Sequence, residues 1–255
     1  MSNGMILYTG ASELDGAPIV VIAIGLHSAS GNRKTGDMIQ TYILRADMSP
    51  VEAIHTGADV SICGQCVHRG PKGDGSGRTC YVNHGQGPTI VWKTYLSGGY
   101  PRATLSQVSD IGRGRMVRLG TYGDPAAVPA MYWGLLTAHS VGHTGYTHQW
   151  LSRPELRGLC MASVDSDHER ATAQRMGWRT YRVAMPGDVT RVTGERPCPA
   201  AKEAGARVQC VDCQLCDGTS AGPRAHVVIQ AHGGFAVMAA VRAQSGQIAQ
   251  TAKAS

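Results

Sequence analysis

Charge is scarce in this chain. Asp, Glu, Lys and Arg make up only 16% of its 255 residues, against roughly 25% in ordinary soluble domains. Coiled coils and long exposed helices depend on that charge and are excluded. Long hydrophobic runs are missing too. The longest, Ala17 to Leu26, has ten residues, whereas a membrane helix needs about 20. The first ten residues, MSNGMILYTG, show neither the charged nor the apolar region of a secretory signal. The common catalytic fingerprints are also absent: no GxxxxGK[ST], no GxSxG, no HExxH and no GxGxxG after a strand.

What the chain does have is glycine, an apolar complement and cysteine. Gly accounts for 33 residues, about 13%, nearly twice its usual share of roughly 7%, which predicts many turns and close backbone approaches. Hydrophobic residues reach 42%, enough for a packed core. The net charge is +6 and the pI near 9.0, a balance that suits an anionic partner such as nucleic acid. Arg113, Arg115 and Arg118 fall close together and are suited to a phosphate backbone.

The eight cysteines stand at 63, 66, 80, 160, 198, 210, 213 and 216. Cys63 and Cys66 form a CxxC, and Cys210, Cys213 and Cys216 form CxxCxxC. Without a secretion signal, such spacing points to metal or redox chemistry in a reducing compartment, so a cytoplasmic location is expected. Cys198, Cys210, Cys213 and Cys216 make a candidate zinc site, with His226 or His232 as substitutes for Cys198. An iron–sulfur cluster is the competing use of such a set. Cys63, Cys66 and Cys80 make a second candidate, with His68 and His84 available and a three-Cys, one-His shell completed by His84. The polar, glycine-rich stretch 69–79 lies between these cysteines, and a metal clamp at its ends would order it.

Along the chain, short apolar runs alternate with polar loops. Ala17–Leu26 and Met38–Arg45 read as strands. Ser49-Pro50-Val51-Glu52 has a capping-box pattern that opens a short helix, and 90–96 reads as a second helix. Runs at 116–120, 133–138, 159–164, 179–184 and 226–230 are each followed by a polar loop, and Asp167–Met176 reads as a helix between two of them. This is the rhythm of βα units with a parallel sheet. It predicts one α/β domain over 1–255, built as a TIM-like (β/α) barrel or a reduced version of one, with Cys-rich loop insertions at about 60–88 and 195–220. An open α/β sheet has the same periodicity. The last 15 residues read as a frayed helix or tail.

In a barrel, function gathers in the loops after the strands. Asp124 lies in a stiff Gly-Asp-Pro turn. His148, Tyr146 and Trp150 lie in a loop dense in aromatics for a chain with only 5% of them. Asp165 follows the 159–164 run, and His232 follows the last one. These residues point to proton transfer or nucleophilic attack by Asp124, Asp165 and His148, and to base stacking by Tyr146 or Trp150, with His232 and Arg118 also contacting substrate.

The strings CGQCVHRG…CYVNHGQGP at 63–88, GTYGDPAAVP at 120–129, GYTHQW at 145–150 and CP…CVDCQLC at 198–216 resemble a group of bacteriophage proteins over most of 33–234. That group is distantly similar to the phage DNA-guanine transglycosylases, relatives of the tRNA-guanine transglycosylases. The resemblance implies a TIM-like barrel, a structural Zn²⁺, and aspartates serving as nucleophile and base. It also implies the exchange of guanine in DNA for a small 7-deazaguanine base, in the host cytoplasm. The transglycosylase zinc pattern is CxC-x2-C followed by a distant His. Here the steps are CxxCxxC, with His226 and His232 coming 10 and 16 positions after Cys216. The nucleophile stays open between Asp124 and Asp165. A non-catalytic, zinc-stabilised nucleic-acid binder and an iron–sulfur enzyme are the competing functions.

Overall fold

The computed structural model describes residues 2–28, 31–70, 75, 77–184, 194–201, 205, 208–219 and 224–231. His232 and the C-terminal tail lie outside the described residues.

The chain opens with an antiparallel meander: β1 (Gly4–Ala11), β2 (Pro18–Ile24) and β3 (Ile39–Arg45). β2 has five consecutive buried residues, Ile19 to Ala23, which means that both of its faces are covered. Each such side chain contributes about 1.5–3 kcal/mol of transfer free energy. Two short helices follow, α1 (Pro50–His55) and α2 (Val60–Cys63). Ser49 caps α1 through Glu52 N–H, as its sequence predicts. After α3 (Gly87–Leu96) and α4 (Leu105–Ile111), the chain enters β4 (Met116–Tyr122), which lies parallel to β3.

The run at 133–138 is not a strand. It lies within α5 (Ala130–Thr137), where Trp133 and Leu136, three residues apart, turn one helical face into the core. β5 (Gly142–Thr144) then joins β4 and completes the first five-stranded sheet, in the order β1-β2-β3-β4-β5.

At Gly145 the chain changes sheets. β6 (Tyr146–Thr147) follows at once but pairs with β7 (Met161–Val164). A Cβ at position 145 would stand 2.8 Å from Cys160 Sγ and 2.9 Å from Leu159 O. Only glycine fits where the backbone reaches across to its new partner. After α6 (Asp167–Arg175) come β8 (Thr180–Ala184), β9 (Glu195–Pro197), the one-turn α7 (Cys210–Cys213) and β10 (His226–Gln230). The second sheet, β6-β7-β8-β10-β9, is parallel throughout.

The fold is therefore mixed α/β with two five-stranded sheets. The βα rhythm expected from the sequence holds where α5 follows β4 and α6 joins β7 to β8. It fails between β5 and β6, which only Gly145 separates, and at the N-terminus, where β1, β2 and β3 form an antiparallel meander; among the described residues no strand pair joins β1 to β9.

Candidate functional site

A cavity of about 550 Å³ is lined by alternate residues of the parallel strands, such as Tyr181 and Val183 of β8 and Val227 and Ile229 of β10, and by His148 just past the end of β6. Its floor is apolar and aromatic: Tyr146, Tyr181, Val183, Val227 and Ile229 all face it. The Tyr146 and Tyr181 rings pack at 4.5 Å with a 58° tilt, and the Arg118 guanidinium lies 5.8 Å above the Tyr146 centroid. Cys63, Cys66 and Cys80 line one wall, and Cys198, Cys210, Cys213 and Cys216 line the other.

The polar centre stands at the ends of β6 and β7. Asp165 follows β7, and each of its oxygens meets a histidine. His68 Nε2 is 3.1 Å from Oδ1, and His148 Nε2 is 3.3 Å from Oδ2. Nε2 of His148 is also 3.9 Å from Cys66 Sγ. Nδ1 of His68 pairs with Thr79 Oγ1 at 2.7 Å, which fixes that ring from behind. The Asp165 backbone N–H donates to Glu169 Oε2 at 2.8 Å. Burial opposes ionisation of Asp165, but hydrogen bonds from His148 and His68 outweigh it and hold the carboxyl well below its usual range. Burial likewise disfavours a charged His148. The neighbouring Cys66 and Asp165 reverse that and raise it well above the ordinary histidine value.

Asp124 has a different task. Its Oδ1 accepts Ala126 N–H at 2.9 Å and its Oδ2 accepts His148 N–H at 2.8 Å. Gly123, at φ +85°, makes the turn that aims it. Both oxygens are engaged with backbone donors, and burial raises its pKa. Asp124 thus positions His148, and it also lines the cavity.

Two expectations are corrected. Trp150 is 4% exposed and belongs to the main core, so it has no face for a base. His84 does not line the cavity, and it is His68, in the turn after Cys66, that enters the polar centre. The described ends of the glycine-rich stretch are held by protein groups. Buried Asp59 pairs with Arg69 at 2.6 Å and Arg78 at 3.2 Å, and His68 O accepts the N–H groups of Thr79 and Cys80, each at 3.1 Å. His232, expected at the same pocket, falls outside the described residues.

The C-terminal cysteine wall is closed in a similar way. Buried Arg179 donates to Asp217 Oδ1 at 2.6 Å and to the carbonyls of Gly218 and Ala225 at 2.7 and 2.8 Å. α7 docks on the N-terminal region through Cys210 N–H to Lys34 O (2.9 Å) and Val211 N–H to Thr35 O (3.1 Å). Burial pushes the Cys216 thiol up to about 12. The nitrogen Nδ1 of His226 accepts Thr180 N–H at 3.0 Å. A tetrahedral zinc–thiolate site needs all its sulfurs about 2.3 Å from the ion, hence within about 4 Å of one another. Among the described residues only His68, His148 and Asp165 bring three ligand atoms within 4.8 Å, and neither cysteine set does so. The cysteines as placed do not fit a bound zinc.

Comparison of the chain with protein-family models, curated proteins and solved structures gives no match. Among the described residues no helix is long and apolar enough to cross a membrane.

Proposed function

We propose that the protein is a nucleobase-modifying enzyme whose reaction centre is the His68–Asp165–His148 cluster. The observation that carries this reading is that His68 and His148, both bonded to Asp165 at the carboxyl ends of β6 and β7, line a cavity whose floor is aromatic and apolar. The tyrosine floor and the plane of Arg118 suit a flat heteroaromatic ring. Arg118 has no ion-pair partner among the described residues and is available to an anionic group on the substrate. The net charge of +6 suits a nucleic-acid substrate. A base inside a duplex must leave the stack to reach such a cavity.

In this reading His148 moves the proton. Its backbone is fixed by Asp124, and its ring is held by an ionised Asp165 that stabilises the protonated imidazole. The exchange of guanine in DNA for a 7-deazaguanine base, with carboxylate attack on the sugar C1′, is the narrower form of the proposal. It requires Asp165 to release one histidine when substrate enters, because both its oxygens are engaged. A reduced barrel is the architecture that would bring these strand ends to one rim.

The test is nucleoside mass spectrometry of DNA and RNA incubated with the protein, with and without a free 7-deazaguanine base. A released or altered base is expected with the native chain. His148→Gln should lower that rate by about 100-fold or more while the melting temperature stays within a few degrees. No altered base in any reaction, with the folded protein either metal-free or metal-supplemented, contradicts the proposal.

A further inference from the structure

The histidine–aspartate cluster has the donor set and spacing of a different kind of site. Two imidazole nitrogens and a carboxylate converge, all within 4.8 Å of one another. Around a tetrahedral ion with bonds of about 2.0–2.1 Å, neighbouring donors lie roughly 3.3 Å apart. Here His68 Nε2 stands 3.1 Å from Oδ1 and His148 Nε2 3.3 Å from Oδ2, so each nitrogen is at that spacing from one of the two carboxylate oxygens. Pairing with the carboxylate alone does not require the two Nε2 atoms to approach each other as well. The rings nevertheless meet edge to face, with centroids 5.6 Å apart.

The surroundings match what a metal-binding imidazole needs. The far nitrogen of His68 is fixed by Thr79, and the loop bearing His148 is fixed by Asp124. Such outer partners orient the ring toward an ion. Side-chain exposures are 12%, 18% and 10% for His68, His148 and Asp165, and the two histidines line the cavity with Asp165 behind them. Cys66 faces the same cavity beside His148.

We infer that His68 Nε2, His148 Nε2 and the Asp165 carboxylate bind one divalent transition-metal ion of the zinc class, with the fourth position on the cavity side next to Cys66. Three protein ligands and one open position is the arrangement of catalytic rather than structural zinc. The inference stands on geometry alone and does not rest on the reaction class proposed above. It does bear on that reading, because a loaded ion occupies both Asp165 and the His148 Nε2 that moves the proton there: base exchange then belongs to the metal-free chain, and the loaded one would activate a water instead.

The test is X-ray absorption at the zinc edge on the native protein with one equivalent of Zn²⁺, together with chelator-competition titrations of variants. The expected first shell holds two imidazole nitrogens, carboxylate oxygen and no more than one sulfur. His68→Ala and Asp165→Asn should each weaken binding by about 100-fold or more, and Cys213→Ser should leave it within about threefold. A shell of three or four sulfurs overturns the inference, as does an affinity unchanged in His68→Ala and Asp165→Asn. The absorption spectrum is read on the native chain, so the answer stands even if a variant fails to fold.

Discussion

The two walls of the cavity look alike in sequence and differ in what they gather. One holds Cys63, Cys66 and Cys80 with His68. The other holds Cys198, Cys210, Cys213 and Cys216. In neither do the sulfurs converge. Each loop is closed by a buried arginine–aspartate network instead: Asp59 with Arg69 and Arg78 on one side, and Arg179 with Asp217 and Arg224 on the other. Among the described residues, convergence occurs only where the first wall meets the ends of β6 and β7, because parallel strands deliver His148 and Asp165 to one rim. Cysteine spacing proposes a metal site, but strand order decides where donors meet.

The largest effect that would break this contrast is expected at Arg179. Its guanidinium is buried and bonded to a carboxylate and several carbonyls. Arg179→Ala should cost about 3–5 kcal/mol, because it leaves Asp217 buried with half its pairing gone. Chemical denaturation without metal checks this. Loss below 1 kcal/mol would mean that the cysteine wall is held by something other than the arginine network.

A middle-sized effect is expected at Asp124. Asp124→Asn turns an amide NH₂ toward a backbone N–H and should cost about 1–3 kcal/mol. It should also displace His148 and slow turnover. A variant with unchanged melting temperature but no activity would return Asp124 to the nucleophile role.

The smallest effect is expected at Cys213, which is only half-buried. Cys213→Ser should change stability by less than about 1 kcal/mol, measured in the same denaturation experiment. A loss of several kcal/mol, seen only with zinc present, would restore the cysteine wall as a structural metal site.

Much of the fold was legible because it is local. Apolar runs mark β2, β3, β4, β7, β8 and β10, and Ser49 caps the helix after β3; the helix from Asp167 was also legible, though its cap is Ser166. The misreading of α5 came from Trp133-Gly134-Leu135-Leu136, a run too short for its period to show. β1 went unread because its exposed and buried residues do not alternate cleanly and its pairing is bulged between Ile6 and Tyr8. At the site, His148 and Asp165 were found from their positions after apolar runs. His68 was weighed only as an alternative to His84, because its contact with Asp165 spans 97 residues and leaves no local signal. Trp150 misled because an aromatic in a polar loop reads as exposed, whereas this one turns inward to the core.

Anomalous diffraction at the zinc edge, from crystals equilibrated with one equivalent of Zn²⁺, tests the contrast between the walls most directly. The account expects one peak between His68, His148 and Asp165, on the cavity side near Cys66. A single peak among Cys198, Cys210, Cys213 and Cys216, with nothing at the histidines, would contradict it.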